Sequence, residues 1–106
     1  MPKYLVKASY TAEGTRGLLK DGGTGRRDAI GALIESAGGT MEVFYYAFGS
    51  DDLLLICELP SEADLIAISL AINAAGGARV DSVPLIDIED IDEGVRKVVS
   101  YRPPGS

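Results

Sequence analysis

Lys7, Glu42 and Glu58, with Tyr46 and Ser9 beside them, are the side chains in this sequence best suited to chemistry. Strand registers read from residue alternation put all five on one face of a sheet. A lysine near carboxylates and a phenol in a partly dry cavity can do acid–base work or orient a polar ligand. An ion pair lining a subunit interface would look the same, and such a pair contributes little by itself. Lys7, Ser9, Glu42, Tyr46 and Glu58 are therefore the expected ligand-binding residues, and Lys7, Tyr46 and Glu58 the candidate catalytic ones.

Three other groups present reactive or charged side chains. Thr24, Arg26 and Arg27 follow the glycines Gly22, Gly23 and Gly25, where backbone N–H groups and two cations could meet an anion at a helix N-terminus. Nothing there matches a phosphate-binding loop, and a flexible connector with solvated arginines explains the stretch equally. Asp51 and Asp52 offer too few oxygens for calcium, so turn chemistry accounts for them. Cys57 lies in an apolar run without basic neighbours, as an inert core thiol would. The chain contains no histidine, the commonest general base and metal ligand. Neither a metal nor a cofactor is expected.

A short central stretch must position these groups. Thr40 to Pro60 holds four of the seven aromatic residues and reads as two strands joined by a turn at Gly49-Ser50-Asp51. Met41, Val43, Tyr45 and Ala47 alternate with Glu42, Phe44, Tyr46 and Phe48, and neither face is simply polar. Leu53 to Cys57 is a continuous apolar run, the pattern of a strand covered on both sides. Tyr45 would face the helices, as would Tyr10 from the first strand.

Lys3 to Tyr10 alternates as that first strand. Thr11 is placed to cap a short helix through Lys20. The glycine-rich segment from Asp21 to Gly25 should break or kink it. Ile30, Leu33, Ile34 and Ala37 then form one apolar stripe on a helix that Gly38-Gly39 ends. Ser61 opens a second, unusually apolar helix reaching Gly76. Ala78 to Ile86 forms the last strand, at an edge because of Pro84. Asp87 to Val99 places acids first and bases last, which suits a helix dipole. Residues 99–106 should be an extended tail.

The order is βαββαβ with an extra helix, the α+β ferredoxin-like pattern with a four-stranded antiparallel sheet. Two helices cover one sheet face. The other would carry Leu5, Phe44, Tyr46, Phe48, Leu54 and Ile56, more apolar surface than a monomer usually exposes. A homodimer or higher homo-oligomer through that face is the expectation.

Composition agrees with one domain spanning 1–106. The 106 residues carry a net charge of −6, which disfavours nucleic acid as a partner. The apolar run Leu65–Ala75 is too short to span a membrane, so no membrane partner is expected. One cysteine allows no internal disulfide and makes the reducing cytoplasm the default location.

The chain resembles the GYD domain family. The resemblance is carried by Tyr10-Thr11-Ala12-Glu13-Gly14, Gly17-Leu18-Leu19, the stretch from Gly22-Gly23 to Arg26-Arg27, and Gly38-Gly39. It continues through Phe44-Tyr45-Tyr46-Ala47-Phe48-Gly49 with Asp51, and Tyr101-Arg102-Pro103-Pro104-Gly105. The namesake Gly-Tyr-Asp is Gly49-Ser50-Asp51 here, and a frequent Pro-Asp is Pro60-Ser61. The resemblance implies a dimeric α/β barrel, a group that includes cofactor-free monooxygenases, lactone isomerases, haem enzymes and ligand-sensing domains. No histidine is available as an axial haem ligand. The expected function is binding of a small organic ligand by a homodimer. The alternatives are a cofactor-free isomerase or monooxygenase, and an oligomerisation module without a ligand.

Overall fold

Alternation along β1 (Lys3–Tyr10) gives the sheet its two faces: Tyr4, Val6 and Ala8 are buried, and Lys3, Leu5 and Lys7 point the other way. The computed structural model describes residues 1–106. After β1 come α1 (Ala12–Ser36), β2 (Thr40–Tyr46), β3 (Leu53–Glu58), α2 (Glu62–Ala75), β4 (Ala78–Leu85) and α3 (Ile88–Arg96). The strands lie in the order β2-β3-β1-β4, and every neighbouring pair is antiparallel. This is the ferredoxin-like βαββαβ arrangement with one further helix.

The barrel expectation is corrected. The sheet is open, with β2 and β4 as unpaired edges. Four twisted strands sweep too small an arc to close, whereas small closed barrels need about eight. The dimeric α/β barrel implied by the resemblance is therefore not the form this chain takes.

Tyr4, Val6, Ala8, Leu53, Leu55, Cys57 and Leu59 meet Ile34 of α1 in one core on the helix side of the sheet. A second correction concerns β2. Its pairing with β3 shifts between Met41 and Val43, and one extra residue in a strand exchanges the faces of all that follow. Phe44 and Tyr46 pair with Leu55 and Leu53 and pack against the core. Val43 and Tyr45 take the open face instead, and Tyr45 is 65% exposed. Phe48 lies beyond the strand with φ 53°. The open face thus carries Leu5, Leu54 and Ile56 as expected, now joined by Val43, Tyr45, Val83 and Leu85.

The helices follow their sequence signals unevenly. Thr11 caps α1, its hydroxyl accepting from the Gly14 N–H at 3.2 Å. The break expected in the glycine stretch is confined to Gly22, at φ 74° and ψ 169°, and Gly23–Gly25 remain helical. Ser61 makes no capping bond to α2, and its hydroxyl donates to the Asp64 carboxylate at 2.9 Å. α2 has no fully buried residue. Every residue from Val83 to Ser106 is exposed, and the molecule measures 57 × 33 × 23 Å. No helix is long and apolar enough to cross a membrane.

Candidate functional site

The expected ligand-binding set divides between the two sheet faces. Lys3, which sequence reasoning passed over, lies opposite Glu58 and reaches Glu42 at 3.1 Å and Glu58 at 3.6 Å. The hydrogen bond and charge of Glu42, supported by Glu58, hold the Lys3 ammonium above its ordinary pKa. Lys7 points instead toward Asp81, 3.9 Å away, and the Ser9 hydroxyl toward Asp51 at 3.5 Å. Antiparallel register was the signal that could have found Lys3, since the residue opposite Glu58 on the neighbouring strand must be its partner.

Tyr46 lies on the helix side, away from Lys7 and Glu58. Its hydroxyl donates to the Gly23 carbonyl at 3.1 Å, and its ring stands edge-on to Phe44 with centroids 5.2 Å apart. Burial pushes its phenol above the ordinary value. Tyr10 adds to the shift, and Arg26 and Arg27 oppose it. Such a phenol is neutral near pH 7 and offers a proton to hydrogen-bond rather than a base.

Arg26 and Arg27 are both engaged, with Asp21 at 3.5 Å and Asp28 at 3.1 Å. Thr24 is exposed nearby. The turn acids hold the β2–β3 connection against the end of β1. Asp52 accepts from the Tyr10 backbone N–H at 2.7 Å, and its own N–H donates to the Ala8 carbonyl at 2.9 Å. The thiol of Cys57 is buried, and that burial raises its pKa.

A half-open cavity of about 420 Å³ lies between α1, α2 and the helix side of the sheet. Val6 and Leu55 form its floor, with Ile30 and Ile72 on facing helices. Small residues explain the void: Gly14, Gly17 and Ala29 on α1, Ala71 and Ala75 on α2, and Ala78 on β4. Side chains this short cannot fill the distance between two helices lying on a sheet. A narrower gap of about 20 Å³ continues toward Ile34 and Leu59.

Glu13 and Arg26 are the charged residues in the lining, and Tyr10 brings a phenol. Gly14 and Gly77 fix the mouth. A Cβ on Gly14 would collide with the Gly77 carbonyl, and the Thr11 hydroxyl donates to the Gly76 carbonyl at 2.8 Å. Sequence reasoning missed this cavity altogether. Its only signal was the run of glycines and alanines on inward helix positions.

No curated protein matches the sequence. The GYD domain matches over residues 4–95, which takes in β1 from Tyr4, the other three strands, both helices beside the cavity and all of α3 but Arg96. The chain belongs to the GYD domain family.

Proposed function

We propose that this protein binds a small, largely apolar organic molecule in the cavity between α1, α2 and the sheet, and that it works as a homodimer joined through the open sheet face. The carrying observation is the cavity itself. Protein interiors are packed to crystal-like density, yet here about 420 Å³ stands open where the helix layer meets the core. That volume falls at the lower end of the range of small-molecule pockets, which combine apolar walls with a few polar groups. Glu13, Arg26 and Tyr10 at the lining suit a ligand with one polar, hydrogen-bonding group on an apolar body.

Binding is favoured over turnover by the placement of the candidate acid–base residues. Tyr46 lies across the sheet from Lys7 and Glu58, so the three do not converge within one chain. The dimer reading rests on the open face, where Leu5, Val43, Leu54, Ile56, Val83 and Leu85 form one apolar field.

A fluorescence titration with anilinonaphthalene sulfonate, an apolar anion, tests the cavity. Saturable binding is expected, and Ala71→Phe should weaken it at least tenfold while circular dichroism shows a folded protein. Absence of saturable binding, or unchanged affinity in a folded Ala71→Phe variant, would refute the site.

A further inference from the structure

We infer that the segment from Asp87 to Ser106 is an exchange arm, whose apolar stripe of Ile88, Ile91 and Val95 packs on the open sheet face of a second copy of this chain. The inference rests on the homodimer reading above and specifies what forms the contact.

Surface area carries it furthest. The chain exposes 7227 Å², whereas a compact monomer of this mass exposes about 5,700 Å². The surplus of roughly 1,500 Å² exceeds the ~800 Å² each partner buries in a standard interface and falls in the range of obligate dimers. The radius of gyration of 17.2 Å agrees, against about 13 Å for a compact domain of this length. The arm contributes to both excesses: every residue from Val83 to Ser106 is exposed, and α3 makes no substantial contact with another element.

The arm is built for a partner. Ile88, Ile91 and Val95 follow helical spacing on α3 and are 76%, 54% and 79% exposed, while Glu89, Asp90, Asp92 and Glu93, with Gly94 and Arg96, occupy the rest of the helix. An acidic polar face is repelled by an anionic lipid surface, which removes the usual alternative for an amphipathic helix. The arm leaves β4 directly beyond Val83 and Leu85, two apolar residues of the open face. Dimensions also match. A nine-residue helix is about 13.5 Å long, and four strands spaced by about 4.8 Å are roughly 14 Å across. Arg79, on that face opposite Ser9, can meet the arm's carboxylates. Two copies related by a two-fold axis would exchange arms reciprocally.

The test is light scattering on the full chain at micromolar concentration, beside the double variant Ile91→Asp, Val95→Asp. Because the arm supports nothing in its own chain, the variant should fold normally. A wild-type dimer, with a dissociation constant raised roughly 100-fold or more in the variant, is the expected result. A wild type that is monomeric would overturn both the homodimer reading and the arm. A dimer untouched by the substitutions would overturn the arm alone. Oxidation of Tyr45→Cys, Val95→Cys in a Cys57→Ala background places the contact: a covalent dimer on a denaturing gel is expected, and a disulfide confined to the single chain would overturn the exchange.

Discussion

At the scale of single residues, Tyr46 shows what spacing can and cannot reveal. Alternation along β1 placed Lys7 and Ser9 on the correct face, because a regular strand has a strict period of two. The same logic failed for Tyr46 and Phe44, since the extra residue at Glu42 and Val43 leaves no mark in composition. Tyr46→Phe should cost about 1 kcal/mol of stability, the value of a typical hydrogen bond, here the one to the Gly23 carbonyl. Urea denaturation measures it. The buried thiol of Cys57 gives a pH prediction. Its pKa is raised above the ordinary 9.0, so above that pH the unfolded chain loses the proton while the folded chain keeps it. The unfolded state then binds fewer protons and stability falls. Melting temperature should hold below about pH 8 and decline from about pH 9. In Cys57→Ala the decline should begin nearer pH 10, where Tyr4, Tyr46 and Lys3, all raised in the fold, begin to contribute. Identical profiles for the two proteins would contradict this.

At the scale of elements, the signals that worked were local and backbone-driven. Thr11 caps α1 as its type suggests, and the glycine stretch breaks the helix where only glycine tolerates the positive φ. Ser61 looked equally suited to its cap, but it makes no capping bond to α2, and its hydroxyl donates to Asp64. Thr11→Ala should therefore cost about 1 kcal/mol, and Ser61→Ala markedly less, a ranking that thermal melts would check. The junction of α1 with the α2–β4 turn is tighter than any sequence pattern suggests. Gly14→Ala drives a methyl group into the Gly77 carbonyl, and overpacking of this kind typically costs about 1–3 kcal/mol. Because that contact sets the cavity mouth, the variant should also bind the fluorescent probe less tightly.

For the whole molecule, the βαββαβ order, the edge position of β4 and the Leu5, Leu54 and Ile56 part of the open face were legible, because element order and edge signals such as Pro84 leave few topologies. The open sheet was not. Closure is a property of strand number and arrangement in space, and the resemblance to a family does not determine it. The cavity was equally hidden. It arises where glycines and alanines of α1, α2 and β4 come together, residues up to 64 positions apart between Gly14 and Ala78. Read singly, each looks like an ordinary helix or strand residue. The arm shows the converse: its amphipathic pattern was visible, but only the fold reveals that its own chain leaves it uncovered.

The most direct test of ligand binding is a crystal structure of the protein as purified, with no compound added. Binding at this site predicts a cavity that persists between Ile30 and Ile72, with continuous non-protein density over Val6 and Leu55 and a polar end toward Arg26 or Tyr10. Helices α1 and α2 closed against each other, with Ile30 touching Ile72 and no space left over the sheet, would contradict it.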